Sequence, residues 1–232
     1  MTDIRTPTEI TKCGGSILAL VDYFSFDPRD LIEIAEKEQG GDRYLIGAVA
    51  LSLAYNLPFI TVHDVDILDY SAEESYVKYV GSYVVEVLSW KEVPKIDSWL
   101  LERKKEFTFY PREYARVIEK NGKIIQTVSI ESLTAYWLAR TVGPIFEREG
   151  EYRIPTFMLE LFTILAKTKP DPNKTRESLE HFGAVKTVSL GYKILPKTPS
   201  FSYGIGRIAE AYRICTDVAE KTFWDLLDPY LP

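Results

Sequence analysis

Residues 44–68 read YLIGAVALSLAYNLPFITVHDVDIL, and this stretch decides the fold. "RYLIG" (43–47) is short and apolar, as a buried strand is, and Gly47 closes it. "AVALSLAYNL" (48–57) is rich in small and apolar residues and predicts a helix, with Pro58 at its break. "FITVHDVDILDY" (59–70) is β-branched enough to predict a second strand. Within it Asp64 and Asp66 stand at every-other spacing, so both point to one face while Val65 and Ile67 turn to the other. Two like charges roughly 7 Å apart along a strand repel unless a cation or a partner lies between them. The pair marks either a wet strand end or a metal site.

Upstream, "DPRDLIEIAEKEQGG" (27–41) predicts a helix. Asp27 is its N-cap, Pro28 takes the first helical position, Leu31, Ile32 and Ala35 form its apolar stripe, and Gly40-Gly41 stops it. "GSILALVDYFSF" (15–26) fits a buried helix or a strand equally well. Downstream, "SYVVEVLSW" (82–90) predicts a strand that carries Glu86 among apolar neighbours, and "KIDSWLLERKKEF" (95–107) an amphipathic helix. "YARVIEKNGKIIQTVSI" (114–130) is patterned as a hairpin, with Asn121-Gly122 suited to a tight type I′ turn. "SIESLTAYWLARTVGPIF" (129–146) opens a helix with Ser129 as cap and Ser132 in its first turn.

The remainder is mostly helical: "TFMLELFTILAKT" (156–168), "KTRESLEHFGAV" (174–185) and "RIAEAYRICTDVAEKTFWDLLDPYL" (207–231). A proline-rich stretch (170–172) and a Pro/Ser/Gly stretch (196–206) interrupt it. The expected fold is α/β in the mixed α+β sense: a sheet flanked by helices over 1–128, then a helical C-terminal region over 129–232.

The chain has 232 residues, 46% of them hydrophobic, enough to bury a sizeable core. Its formal charge of −6 argues against broad, non-specific nucleic-acid binding. Cys13 and Cys215 are the only cysteines. Standing far apart, they suggest neither a disulfide framework nor a zinc knuckle, and read as small apolar fillers in a cytoplasmic protein. No apolar run reaches the ~18 residues of a membrane span, and the apolar stretch near the start lacks the basic leader of a signal peptide. Gln39 and Gln126 are the only glutamines beside abundant Glu, Lys and Tyr, a composition that leans toward a thermophile.

The ordered set of strand, Gly47, helix, Thr61, Asp64 and Asp66 resembles the opening of minimal nucleotidyltransferases. The likeness is strongest to the group that includes abortive-infection toxins and their stand-alone relatives. In those proteins a strand ends in a Gly-Gly or Gly-Ser turn and a short helix, and a strand bearing Asp-x-Asp follows. "TVSIESLTAYWLAR" (127–140) is similar to the segment that opens the helix after their catalytic sheet. The resemblance covers about residues 28–140.

It implies a sheet with Mg²⁺ held by Asp64 and Asp66, Glu86 completing the catalytic set, and Gly47, Ala48 and Thr61 at the nucleotide. It also implies a nucleoside triphosphate as donor and an RNA end or a protein hydroxyl as acceptor, with no membrane partner. The chemistry matches the spacing, because Mg²⁺ is bound through one or two carboxylates plus substrate phosphates, and a third carboxylate can activate the attacking hydroxyl. Ala48 stands where the second small residue is often Gly, Phe59 where Arg is common, and Trp137 where Lys is frequent. The alternative is therefore a catalytically degenerate member of the same fold acting as a protein-interaction module. A phosphoribosyltransferase-like sheet ranks last, because no acidic pair followed by a Gly/Thr diphosphate loop is present.

The bland readings are specific too. His63 is expected as a hydrogen-bonded structural residue and His181 as a helix-end or surface residue. "SYGIGR" (202–207) is only a superficial match to a phosphate loop. The cations at 103–105 and Arg112, Arg116, Lys120 and Lys123 read as an ordinary solvated surface in preference to a basic face.

Overall fold

Apolar alternation and two glycine-controlled turns organise the N-terminal half around a sheet. The computed structural model describes residues 28–57, 59–60, 62–90, 112–120, 122–146 and 150–232. Helix α1 (Pro28–Glu38) starts where Pro28 is expected and buries Leu31, Ile34 and Ala35, while Ile32 is only half-buried. Strand β1 (Arg43–Leu45) leads through Gly47 into helix α2 (Gly47–Tyr55), which ends at Asn56 in the left-handed region. Strand β2 (Val65–Asp69) is shorter than the sequence suggests, and Asp64 lies on a bend just before it.

The hairpin of β3 (Tyr76–Val80) and β4 (Tyr83–Ser89) turns at Gly81, whose φ is +63°. A second hairpin joins β5 (Ala115–Lys120) to β6 (Lys123–Val128), with Lys120 opposite Lys123 and Gly122 at φ +74°. The expected partner in that turn, Asn121, lies outside the described residues, as do Asp27, Pro58, Thr61, Cys13, the stretch 15–26 and the helix expected over 95–107.

The sheet order is β3-β4-β2-β1-β6-β5. β2 runs parallel to β4 and β1 parallel to β6, while the other neighbours are antiparallel. One face is mostly apolar at its centre: Leu45, Val65, Ile67, Val85, Val87 and Ile125 are all buried, and the buried Thr127 beside Leu45 donates its hydroxyl to the Leu45 carbonyl at 3.1 Å. Lys78 of β3 donates to Glu38 of α1 at 2.5 Å, Lys123 of β6 to Glu36 of α1 at 2.6 Å, and Lys120 of β5 to the Leu53 carbonyl of α2 at 2.7 Å. The helices α1 and α2 therefore cover this face, and long cations at the rim hold them there.

The same rim carries one well-bonded carboxylate. Asp69 accepts from Arg43 Nε at 2.9 Å, from the Ser71 hydroxyl and N–H at 2.7 and 2.8 Å, and from the Ala72 N–H at 3.1 Å. Burial alone would raise its pKa; the Ser71 and Arg43 hydrogen bonds outweigh that and hold it below the ordinary carboxylate range.

From residue 130 onward the described chain is helical: α3 (Ile130–Phe146), α4 (Ile154–Thr168), α5 (Pro172–His181), α6 (Val185–Ile194), α7 (Pro199–Tyr212) and α8 (Thr216–Leu227). Ser129 caps α3 as expected, its hydroxyl accepting from the Ser132 N–H at 3.2 Å. The Pro/Ser/Gly stretch of 196–206 is a correction, because most of it is helix α7. Gly204 is there for packing: a Cβ would come within 2.8 Å of Met158 Sδ and 3.3 Å of the Pro155 Cα on α4. Gly191 of α6 does the same against α3, where a Cβ would meet Val142 Cγ2 at 2.7 Å. The expected long terminal helix breaks at Arg213, whose φ of +53° ends α7.

Cys215, read from sequence as an apolar filler, is half-buried at the N-cap position of α8. No helix among the described residues is long and apolar enough to cross a membrane.

Two outcomes follow from this packing. Asp69→Asn is expected to cost about 1–3 kcal/mol in urea unfolding at pH 7, since Arg43 loses the nearer of its two counter-ions, keeping Glu38 at 3.6 Å, and one side-chain oxygen becomes a donor. Because the folded carboxyl titrates below its unfolded value of about 3.9, the wild-type advantage exists above that pH. It fades as pH falls through the depressed folded value, and a wild-type-to-variant difference that is flat across this range would contradict the assignment. Gly191→Ala should destabilise by about 1–3 kcal/mol, and Val142→Gly, which removes the Cβ that the new side chain meets first, should show favourable coupling to it in a double-mutant cycle.

Candidate functional site

The second face of the sheet carries the acids. Asp66 of β2 lies directly opposite Glu86 of the parallel strand β4. Neighbouring strands are about 4.8 Å apart and register partners share a face, so these carboxylates sit side by side. The row continues into β3, where Val77 is paired with Glu86, and the next row places Tyr79 opposite Val84. Both acids are half-buried, whereas Val77 and Tyr79 are 55% and 73% exposed. At the opposite end of the sheet this face also exposes Val117 and Ile124, while its centre keeps Leu68 buried.

The turn after β1 is built around Asp66. The Ile46 N–H donates to the Asp66 carbonyl at 3.0 Å, which locks the end of β1 against the start of β2. Gly47 then adopts φ +64°, a conformation natural to a residue without Cβ. A Cβ at 47 would overlap Asp66 Oδ2 and lie 3.0 Å from Cγ and 3.3 Å from the Asp66 Cβ. The carboxylate therefore occupies the space that the missing side chain leaves. Helix α2 starts at this point with Ile46 as N-cap and no side-chain cap hydrogen bond. Ala48 lies in its first turn, half-buried and packed on the core.

Asp64 is half-buried on the bend before β2, one residue outside the regular strand. Among the described residues no group of three or more His, Cys, Asp or Glu side chains is clustered to hold a metal ion. The structure thus brings together Gly47, Asp66 and Glu86; Asp64 is next in sequence at the same strand start, and Thr61 lies outside the described residues. His63 is exposed, and His181 is the last residue of α5, edge-on to Tyr114 with ring centroids 5.6 Å apart.

The cations considered from sequence are committed elsewhere. Arg112 bonds Asp42 and stacks over Tyr70, and Arg116 donates to the Glu113 and Ala115 carbonyls at 2.6 and 2.8 Å. Lys120 and Lys123 bind the two covering helices, as described above, and residues 103–105 lie outside the described set. Trp137 is 1% exposed, and its indole N–H donates to the buried Glu160 at 3.0 Å. The α3 position where the resembling family often carries lysine is here a core position that does not reach the acids.

A cavity of about 560 Å³ opens between β5, the β6–α3 junction and α5, lined by Tyr114, Arg116, Ser129, Glu131, Lys174 and His181 among others. Neither Asp66 nor Glu86 borders it. Tyr55 ties α2 to this junction, its hydroxyl donating to the Val128 carbonyl at 3.2 Å, with its pKa pushed up to about 12 by burial and then by the Glu131 charge.

Sequence reasoning missed β3, and with it Val77 and Tyr79. The signal was present in "YVKYVGSYVVEV" (76–87), two alternating runs around a Gly-Ser pair.

No protein-family model matches the chain, and no curated protein does. Among solved structures it is similar to an antigenic nucleotidyltransferase-like protein from Paracoccidioides brasiliensis, at a TM-score of 0.40 and 11% sequence identity, over 76% of this chain and 90% of that one.

Proposed function

We propose that the chain transfers a nucleoside monophosphate from a nucleoside triphosphate to an acceptor hydroxyl, at the sheet end where Gly47, Asp66 and Glu86 meet. The observation that carries this reading is the fit between Gly47 and Asp66: a bare, positive-φ glycine at a helix N-terminus, packed on a carboxylate. That arrangement puts backbone N–H groups, which favour phosphate oxygens, beside an acid able to ligate a cation.

The donor set suits Mg²⁺. It prefers oxygen ligands and takes one or two carboxylates, completing its shell with water and substrate phosphate, so a closed three-residue cage is not required. When bound, Mg²⁺ neutralises charge on the triphosphate and on the phosphorus under attack. Asp66 and Asp64 would hold it, and the first turn of α2 would receive the outer phosphates.

Glu86, one strand over, takes the proton of the acceptor hydroxyl. The acceptor oxygen bonds to the α-phosphorus as the bond from that phosphorus to the pyrophosphate oxygen breaks. Pyrophosphate leaves, and the nucleoside monophosphate remains on the acceptor.

A second reading, a non-catalytic interaction module of the same architecture, draws on Trp137, a buried indole at the α3 position where the resembling family often carries lysine.

Isothermal titration of purified protein with ATP and Mg²⁺ separates the two. Catalysis predicts metal-dependent binding that falls at least about tenfold in Asp66→Asn and in Gly47→Ala, a change of ~1.4 kcal/mol. Glu86→Gln should keep binding while cutting transfer of labelled nucleotide by about 10²–10⁴-fold. Triphosphate binding that ignores Asp66→Asn would remove the enzyme reading.

A further inference from the structure

The acid-bearing face continues past Glu86 onto an edge strand, and it ends in an aromatic ring. Reading across the sheet gives Gly47 at the end of β1, then Asp66 on β2, Glu86 on β4, and Val77 with Tyr79 on β3. Tyr79 is the most exposed large apolar side chain among the described residues, at 73%, and Val77 beside it is 55% exposed. The third tyrosine-strand neighbour, Tyr76, is used differently: its hydroxyl accepts from Arg43 at 2.9 Å on the helix-covered side. Structural bonding therefore accounts for Tyr76, whereas Tyr79 has its ring on the open side.

Order along this line assigns the two ends. The phosphate-binding end is Gly47 and the α2 N-terminus. The group that takes the acceptor's proton, Glu86, lies on the other side of Asp66, so the acceptor approaches from the β3 side. Tyr79 stands two strand spacings across from β2 and two residues along from the Asp66–Glu86 row, on the order of 12 Å from Asp66, within reach of the sugar and base that carry a reacting hydroxyl.

We infer that Tyr79 is a stacking surface for the terminal nucleobase of a single-stranded RNA acceptor. This rests on the nucleotidyltransferase reading for which end is which, and it selects RNA over a protein hydroxyl. An exposed tyrosine face stacks on any base, whereas a protein hydroxyl brings no flat group for it to meet. The chain's charge of −6 and the acids of the site offer the RNA backbone little attraction, so binding is short-range and involves one or two terminal nucleotides.

The test is fluorescence anisotropy of a labelled adenylate hexamer RNA against the full chain, without triphosphate, alongside ATP titration in Mg²⁺. Tyr79→Ala should weaken hexamer binding roughly 5- to 150-fold, the effect of losing about one base stack. Tyr79→Phe should keep the wild-type affinity, and ATP binding should be unchanged in both variants. Affinity should fall only shallowly with added salt.

Hexamer affinity that is equal in wild type and Tyr79→Ala overturns the inference. So does a wild-type chain that binds no hexamer, or labelled nucleotide that appears on a protein and never on the hexamer. If the hexamer depends on Tyr79 while ATP binding ignores Asp66→Asn, the stacking surface stands and the transferase reading falls.

Discussion

At position 47 the chain lacks a side chain, and the Asp66 carboxylate fills the vacated volume. This contact sets several features at once. It lets β1 turn directly into α2 through a left-handed residue, which costs little only for glycine. It fixes the start of β2 beneath the first turn of α2, reinforced by the Ile46-to-Asp66 backbone hydrogen bond. It also keeps a carboxylate at a helix N-terminus, where the peptide dipoles favour negative charge. An alanine here would have to displace the acid or the helix.

The second constraint is the division of the sheet into two unlike faces. Val65 and Ile67 are fully buried, and so are their partners Val85 and Val87. Burial of that row fixes the register, because a slip by one residue would send Asp66 and Glu86 into the core and the valines to the open side. The acids therefore need no separate positioning device. Apolar burial on one face aligns them on the other, and Lys78, Lys120 and Lys123 hold the covering helices at the rim. Tyr79 on the open side of an edge strand is an exception to the usual economy of such strands, which are blunted with charge or kept short.

Where one residue type dictates the backbone, the sequence was legible. Pro28 started α1, Gly47 turned β1 into α2, and Ser129 capped α3, each as local chemistry requires. The Asp66–Glu86 pairing was foreseeable only as two acids in separate strands, since their register depends on long-range packing. Elsewhere tertiary packing overrode local pattern. Gly204 falls in a stretch that read as an interruption but sits inside α7, because the neighbouring helix needs the space a Cβ would take. Asp64 was placed within a strand by β-branched composition, yet the regular ladder begins only at Val65. The β3 strand was less legible because it is an edge strand whose Tyr76, Val77 and Tyr79 are exposed, so its run lacks the buried signature of β2 and β4.

The charge balance of the proposed site narrows how it works. Transfer from a triphosphate brings several negative charges beside Asp66 and Glu86, and these must be offset. Trp137 of α3 offers no help, because it points into the core and binds Glu160. Arg112, Arg116, Lys120 and Lys123 are engaged in contacts within the chain. The N–H groups that open α2 stand beside Asp66, and they carry only about half an elementary charge. A divalent cation on the acids would supply the rest in the chemistry proposed, and triphosphate affinity should then rise with Mg²⁺.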